Sequence, residues 1–278
     1  MFVPLKGSWA LIFGVSSGMG KATARALAEA GCHVIGVHFD LAEGQRQAEE
    51  FAKSLGELGV EARFFNVNVA AKQARTELVP VIQDLTSGAG LRIVLHSVAY
   101  GTLTSLLPAQ DGQGGEHGPD GQEEGTGAVT PKQLTMTVEV MGHSIVHWTQ
   151  DLVKAALLPR GAKVFAMTSA GGTRVLPGYA PVAAAKAVLE SHVRNLAVEL
   201  APRGVAVNAI RAGTTITPAL AKIPGSEKLI AHCRDINPGG RLTRAEDVAE
   251  AIVALSATDS SWLTGNVIGV DGGEALVV

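Results

Sequence analysis

A tyrosine and a lysine that lie seven residues apart are the first candidates for chemistry in this sequence. Tyr179 opens the stretch YAPVAAAK and Lys186 closes it. Residues at positions i and i+7 lie on nearly the same face of an α-helix, so both side chains can point into one site. Pro181 favours the first helical turn, which predicts that Tyr179 lies just outside the helix. The alternative is a half-buried tyrosine at a helix start and a solvated helix lysine.

A glycine-rich segment marks a second candidate site near the start of the chain. The segment GVSSGMG places Gly14, Gly18 and Gly20 between a predicted strand at 9–14 and a predicted helix at 21–31. Glycine permits a tight turn there, and the backbone N–H groups at the start of a helix can bind a pyrophosphate. The spacing differs from the Gly-x-Gly-x-x-Gly fingerprint of dinucleotide-binding folds, so its position in the first strand–helix unit supports the interpretation.

Short runs of β-branched and aromatic residues alternate with helical stretches along most of the chain. This alternation predicts parallel strands joined by helices. We therefore expect an α/β fold with a doubly wound, parallel seven-stranded sheet of the Rossmann type, in a single domain that spans residues 1–278. The predicted strands are 9–14, 33–39, 62–67, 92–98, 162–167, 205–210 and 266–270.

One segment interrupts this alternation. Residues 108–129 are rich in glycine and acidic side chains and nearly lack large apolar residues. Such a segment cannot bury enough surface to fold by itself, which predicts a flexible loop. We favour a tolerated surface insertion. A lid over the active site is the alternative, because the loop follows the carboxyl end of a predicted strand, where α/β sheets bind ligands.

Charge and composition exclude several classes of partner. The formal net charge of −3 gives no electrostatic reason to bind nucleic acid or an anionic membrane. The apolar run near the N-terminus is too short to span a membrane. Cys32 and Cys233 are far apart without ligand-like neighbours, which fits a reduced, cytoplasmic compartment. His96, His143 and His147 lack a spacing such as HExxH, so we predict no metal site.

The glycine segment and the Tyr/Lys pair occur with NVNVA, VNAIRAG and GNVIGVDGG in the order typical of short-chain dehydrogenases/reductases. The sequence resembles this family over nearly its whole length, apart from residues 108–129. The resemblance implies a nicotinamide cofactor with Asn68 and Val69 at the adenine and Lys186 at the ribose. It also places Thr215 and Thr217 at the carboxamide and the pyrophosphate. Further residues that it implies at the cofactor are Gly14, Ser16, Gly18, Met19, Gly20, Asp40, Ser97, Val98 and Ala99.

The choice between NADH and NADPH depends on the residues after the second predicted strand. A ribose 2′-hydroxyl favours a carboxylate acceptor, whereas a 2′-phosphate needs a cation. Asp40 follows that strand, and no arginine or lysine comes before Arg46. We therefore favour NADH over NADPH. The alternative is that Asp40 only caps the next helix.

The spacing of the Tyr/Lys pair separates two branches of the family. Most members have three residues between the tyrosine and the lysine, whereas here six intervene. Tyr-x6-Lys resembles the divergent branch, the bacterial enoyl-acyl-carrier-protein reductases, and so does LHSVAYG at 95–101. Met141 stands where many ketone reducers carry an asparagine. Ser169 departs from the best-known enoyl reductases, which have a second tyrosine there, and is either a catalytic donor to substrate or a plain strand-end serine.

The longer spacing has a chemical interpretation of its own. If the segment is helical, three extra residues move Tyr179 roughly 4.5 Å along the helix axis. In ketone reduction the hydride reaches the carbon that bears the oxygen. In conjugate reduction of an enoyl thioester it reaches C3, while charge develops on the C1 oxygen, two carbons away. A donor for that enolate oxygen should lie further from the nicotinamide, as Tyr179 would.

These features together predict an enoyl-acyl-carrier-protein reductase of fatty acid synthesis, with Tyr179, Lys186 and Ser169 as catalytic residues. The substrate is then an acyl thioester, held under a mobile cover formed by residues 214–236. Family resemblance implies a homotetramer with the helices near 131–158 and 180–201 as interface. The alternatives are a ketone or alcohol oxidoreductase of the same family and a nucleotide-binding sensor without turnover.

Overall fold

A single parallel sheet organises the protein. The computed structural model describes residues 2–108, 128–223 and 225–277. In these residues the seven strands pair in the order β3-β2-β1-β4-β5-β6-β7, and every pair is parallel. The expected doubly wound fold is therefore confirmed. The strands are β1 (Trp9–Phe13), β2 (His33–His38), β3 (Ala62–Asn66), β4 (Ile93–His96), β5 (Lys163–Ser169), β6 (Ala206–Ala212) and β7 (Val267–Val270).

Helices cover both faces of this sheet, which is why its central strands are apolar on both sides. Leu11 and Phe13 point into one core, where Phe13 packs against Trp148 with ring centroids 4.7 Å apart. Ala10 and Ile12 point into the other core. The helices are α1 (Gly18–Glu29), α2 (Ala42–Gly56), α3 (Lys72–Leu85), α4 (Pro131–Val138), α5 (Ser144–Lys154), α6 (Ala180–Leu200), α7 (Pro218–Ala221), α8 (Ser226–Ile236) and α9 (Ala245–Ser256), with a π-helical turn at Glu139–His143 between α4 and α5.

The order of the strands creates a crevice at the carboxyl ends of β1 and β4. The chain turns to opposite sides of the sheet after these two neighbouring strands, which is the position where open α/β sheets bind nucleotides. Gly14 follows β1 and Ser97 follows β4, and the N–H of Ser97 donates to the carbonyl of Phe13 at 2.9 Å. The glycine segment therefore lies at the edge of this crevice.

Element boundaries differ from the predicted ones in two informative places. The helix predicted at 21–31 begins at Gly18 and ends at Glu29, because the extended backbone of Ser17 already starts it. The strands β5 and β6 are two residues longer at their carboxyl ends than predicted, since pairing continues to Ser169 and Ala212. The extension of β5 brings Thr168 and Ser169 to the carboxyl edge of the sheet, beside the end of β4.

The two segments expected to be mobile have ordered parts. Ser105 and Ala128 form a parallel bridge, and the N–H of Val129 donates to the carbonyl of Ser105 at 2.9 Å. The rest of the predicted loop, 109–127, lies outside the described residues. The expected cover at 214–236 contains α7 and α8. Among the helices in the described part of the chain, none combines the length and apolar character needed to cross a bilayer.

Candidate functional site

The end of β5 and the start of α6 bring the predicted catalytic residues together. Ser169 is the last residue of β5, and Tyr179 is the N-cap residue of α6, just outside the helix as predicted. The Ser169 Oγ and Tyr179 OH atoms lie 3.3 Å apart, within hydrogen-bond distance. Burial raises the pKa of Tyr179, and the hydrogen bond with Ser169 partly opposes that effect. The phenol is therefore held as a protonated donor.

The ring of Tyr179 lies directly against the backbone at Gly171. A Cβ atom at residue 171 would stand 2.4 Å from the Tyr179 Cε1 atom, a distance that no real contact allows. Gly171 belongs to a single 3₁₀ turn, Ala170–Gly172, that follows β5. This turn therefore sets the orientation of the tyrosine ring by leaving room for it.

Lys186 is buried on α6 beneath Tyr179, so it is not the solvated lysine of the alternative interpretation. Its Nζ donates to the carbonyl oxygen of Met167 at 2.7 Å, which orients the ammonium toward the end of β5. Burial lowers the pKa of Lys186 to about 8, and the negative charge of Glu190 opposes the decrease. The lysine can thus carry a positive charge at neutral pH in a site largely shielded from water.

The glycine segment forms a close turn between β1 and α1. A Cβ atom at Gly20 would stand 2.1 Å from the carbonyl oxygen of Gly14, and one at Gly14, where φ is +82°, would stand 2.2 Å from that of Ser97. No side chain caps the first turn of α1, and that turn carries no acidic residue. Its N–H groups can therefore face an anion. The space that side chains would fill fits the pyrophosphate of a dinucleotide.

Of the other residues that the resemblance places at the cofactor, Thr217 and Ser97 lie against this turn. Thr217 caps α7 by accepting from the N–H of Leu220, and a Cβ atom at Gly18 would stand 3.4 Å from its methyl group. Thr215 is buried and donates to the carbonyl of Gly213 at 2.9 Å. Along the same turn, Ser16 and Met19 are half-buried, and after β4 Ser97 is half-buried, Val98 is buried and Ala99 is exposed.

Asn68 and Val69 lie after β3, further from the glycine turn in the sheet order. The side chain of Asn68 accepts from the N–H of Ala70 at 2.9 Å, which folds the segment into a local turn. Val69 is buried, and its carbonyl accepts from the Trp148 Nε1 atom at 2.8 Å. These bonds fix the backbone of the segment, while its predicted contact with adenine stays a prediction.

Asp40 does not cap the next helix, so that alternative was wrong. The N-cap residue of α2 is Leu41, and no side-chain cap is formed. The Asp40 Oδ2 atom instead lies 2.8 Å from the Nδ1 atom of His38. The backbone N–H and carbonyl of Asp40 both form hydrogen bonds with the side chain of Asn66. The carboxylate is therefore held at the end of β2, where the ribose of a dinucleotide would lie.

Two buried groups that the sequence analysis did not assign to the site border Lys186. Glu190 lies one helical turn after it, and its Oε1 atom accepts from the Thr168 hydroxyl at 2.6 Å. The Nε2 atom of His96 lies 2.7 Å from the Ser144 Oγ atom, while its Nδ1 atom has no hydrogen-bond partner among the described residues. Burial, with a smaller effect of Lys186, lowers the pKa of His96 to about 3. A glutamate four residues after the lysine is the sequence signal that could have identified the first group.

Met141 packs against the chain segment that follows β4. This residue is buried in the π-helical turn, and its Sδ atom would be 2.8 Å from a Cβ atom at Gly101. An apolar thioether therefore fills the space next to the chain segment that follows β4. In the described residues, no three His, Cys, Asp or Glu side chains are grouped in a way that could hold a metal ion.

Comparisons with known proteins identify the family to which the chain belongs. A family model described as enoyl-(acyl carrier protein) reductase matches residues 14–113 and 116–274. The NADH-dependent enoyl-[acyl-carrier-protein] reductase FabI of Escherichia coli (strain K12) is 34% identical over 148 residues, which is 52% of this chain and 55% of that protein. The chain thus matches only about half the length of this curated relative.

Another relative and a solved structure match over nearly the whole chain. The 3-oxoacyl-[acyl-carrier-protein] reductase FabG of Thermotoga maritima is 29% identical and covers 97% of this chain and 98% of its own. The crystal structure of the NADH-dependent enoyl-[acyl-carrier-protein] reductase of Aquifex aeolicus VF5 superposes with a TM-score of 0.81 at 25% identity, covering 98% of both chains. With the family model covering most of its residues, the chain belongs to the short-chain dehydrogenase/reductase family of oxidoreductases.

Proposed function

We propose that this protein reduces the C2–C3 double bond of an enoyl thioester with a nicotinamide cofactor, as enoyl-acyl-carrier-protein reductases do in fatty acid synthesis. The observation that carries the proposal is the position of Tyr179. It lies outside α6 at the N-cap, while Val182, four residues before Lys186, is buried and can donate nothing. The phenol is thus further from the lysine than a Tyr-x3-Lys pair would place it.

When bound, the cofactor would supply the hydride, and the residues of this chain would hold it and stabilise the charge that develops on the substrate. The glycine turn and the first turn of α1 would hold the pyrophosphate, and Lys186 would bind the nicotinamide ribose. Tyr179 donates a hydrogen bond to the thioester oxygen, on which negative charge develops while C3 is reduced. The positive charge of Lys186 stabilises that charge through Tyr179. Water then supplies the proton that C2 needs.

We further propose NADH as the preferred cofactor and an aliphatic acyl chain as the substrate group. The Asp40 carboxylate at the end of β2 would repel a 2′-phosphate and accept a bond from a 2′-hydroxyl. On the side of the cover, Ile216 is 68% exposed and precedes α7, so it can contact an apolar chain entering from solvent. The first feature supports NADH, and the second supports a thioester of a fatty acid, carried by acyl carrier protein or coenzyme A.

Ketone reduction by the same residues is the second candidate. It is favoured by the contact between Ser169 and Tyr179, because ketone-reducing relatives place their catalytic serine seventeen residues before the lysine, as here. A serine beside the phenol could bind a carbonyl oxygen at the carbon that receives the hydride. The full-length match to a 3-oxoacyl-[acyl-carrier-protein] reductase supports this candidate as well.

The two candidates are separated by following the absorbance of NADH and NADPH with a crotonyl or longer enoyl thioester and with the matching 3-ketoacyl thioester. We expect oxidation of NADH with the enoyl substrate, with kcat decreased at least about 100-fold in Tyr179→Phe. Tyr100→Phe is the matched control, since Tyr100 is 61% exposed. Oxidation with only the ketoacyl substrate would establish the second candidate. Cofactor binding without turnover of either thioester would contradict both.

A further inference from the structure

Three consecutive residues at the end of β5 bind three different residues of the α6 segment. The Met167 carbonyl accepts from the Nζ atom of Lys186, and the Ser169 hydroxyl bonds to Tyr179. Between them, the Thr168 hydroxyl donates to the Oε1 atom of Glu190 at 2.6 Å. Two of these three contacts hold residues of the proposed reaction. The third holds a carboxylate to which that reaction gives no role.

The carboxylate of Glu190 is buried, being only 8% exposed, and its immediate surroundings join it to Lys186. A Cβ atom at Gly172 would stand 3.0 Å from the Glu190 Oε1 atom and 3.5 Å from the Lys186 Cβ atom. Glycine at 172 therefore lets the carboxylate lie beside the stem of the lysine. A buried charge is costly unless an opposite charge or hydrogen bonds compensate it. Here the Thr168 hydroxyl donates a hydrogen bond to the carboxylate, and the charge of Lys186 attracts it without a direct ion pair.

Other groups around Lys186 cannot replace this negative charge. His96 on β4 faces it as a neutral ring, since burial keeps the pKa of that histidine far below neutral pH. Tyr179 is a protonated phenol at the start of the same helix, because burial raises its pKa. Within the described residues, Glu190 is the group whose charge opposes the effect of burial on the lysine.

We propose that Glu190 is a positioning residue that keeps Lys186 charged, while the Met167 carbonyl directs the ammonium toward the end of β5. Glu190 acts through Lys186 and touches neither substrate nor cofactor. Thr168 fixes the carboxylate, and Gly172 leaves space for it. The inference rests on the proposed function for the role of Lys186 in binding the ribose and stabilising charge. The contacts that carry it involve residues of this chain alone.

The charge on Lys186 makes two consequences measurable. Because burial holds its folded pKa near 8, below its ordinary value of 10.5, the unfolded chain binds the proton more tightly. The stability that this group contributes therefore rises as pH increases from about 8 to about 10.5. Removing the charge of Glu190 lowers the folded pKa further. In Glu190→Gln the increase in stability would therefore begin at a lower pH. Activity that needs the protonated form of Lys186 would also be lost at a lower pH.

The first experiment needs no substrate. Urea unfolding is measured between pH 6 and 10 for the whole chain and for Glu190→Gln, each with and without Lys186→Met. The difference that Lys186→Met makes isolates the lysine from other titrating groups. The effect of Lys186→Met on the free energy of unfolding should change with pH. We expect this change to occur about 1 pH unit lower in the Glu190→Gln background than in the wild type. An unchanged position on the pH axis would overturn the inference, whatever reaction the protein catalyses.

The second experiment uses the thioester that proves to be turned over. The decrease of kcat/KM toward alkaline pH should begin about 1 unit lower in Glu190→Gln than in the wild type. Glu199→Gln, an exposed position on the same helix, should leave the profile unchanged. Lower activity with an unshifted profile would mean a structural role only and would overturn the inference. If Glu190→Gln does not fold, Thr168→Val releases the carboxylate and should shift both profiles in the same direction by a smaller amount.

Discussion

At the residue scale, the space left by Gly171 determines where the ring of Tyr179 can lie. The backbone of Gly171 has ordinary angles, so alanine is conformationally allowed there, and only the space is missing. The added methyl group would overlap the Tyr179 ring, which then has to move by about 1 Å. A displacement of that size at a catalytic group costs about 100-fold in rate. We expect Gly171→Ala to decrease kcat about 10- to 100-fold in steady-state assays.

The control for this prediction separates position from stability. Gly56→Ala adds the same methyl group at the end of α2, where no atom of the described residues outside its own helix and chain neighbours lies within 4 Å of it. That variant should keep the wild-type rate. Gly171→Ala should also keep its affinity for NADH, measured by fluorescence titration, because the glycine turn is untouched. Equal rates in both alanine variants would show that the ring of Tyr179 does not need its observed position.

The choice of cofactor also depends on one side chain. Asp40→Asn keeps the shape of the residue at the end of β2 but removes its negative charge. A like charge beside a 2′-phosphate costs several kcal/mol, so its removal should raise kcat/KM with NADPH relative to NADH by at least about 10-fold. Glu49→Gln, an exposed change on α2, should leave the ratio unchanged. A ratio that stays constant in Asp40→Asn would place the ribose elsewhere.

At the scale of elements, the glycine turn between β1 and α1 allows the start of the helix to lie close to the end of the strand. Alanine favours a helix over glycine by about 1 kcal/mol, so Gly20→Ala would stabilise α1 if space allowed. The Cβ atom of that alanine would lie 2.1 Å from the Gly14 carbonyl oxygen, so α1 would have to move away from β1. The substitution should therefore destabilise the protein instead of stabilising it. We expect Gly20→Ala to lower the free energy of unfolding by about 1–3 kcal/mol in urea titrations and to weaken NADH binding at least about 10-fold. Increased stability in that variant would refute the tight turn.

The sequence predicts this level of structure well, for physical reasons. Strands such as 33–39 and 62–67 were confirmed within one residue, because β-branched and aromatic runs end where polar or turn residues begin. The carboxyl end of β5 was missed, because Thr168 and Ser169 look like loop residues until β6 pairs with them. The N-cap position of Tyr179 was predicted, since Pro181 restricts the first helical turn.

The contacts of the site were less predictable than its members. The bond between Thr168 and Glu190 joins residues 22 positions apart in the chain, and the bond between His96 and Ser144 joins residues 48 apart. No periodicity or propensity encodes such pairs, because they depend on how α6 and α5 pack on the sheet. A glutamate at a helical position also looks solvated until the burial of its face is known.

At the scale of the whole molecule, we expect a homotetramer of about four times the 28.7 kDa chain mass, measured by light scattering. Val198 lies on α6, within the predicted interface at 180–201, and is 75% exposed in the single chain. Charged residues are disfavoured in the core of an interface, so Val198→Glu should yield smaller species. Leu58→Glu, at an exposed position after α2, is the control and should not change the mass. A monomeric wild type, or an unchanged mass in Val198→Glu, would contradict the predicted interface.

The three contacts at residues 167–169 also bear on how the sheet finds its register. Side chains alternate between the two faces of a strand, so a slip of one residue exchanges every inward group for an outward one. A slipped β5 would place the Met167 thioether where Glu190 needs the hydroxyl of Thr168, and a buried carboxylate would lose its donor. The polar groups proposed to serve the reaction would therefore disfavour a misaligned β5. The proposed chemistry of this protein and the register of its sheet would then depend on the same three residues.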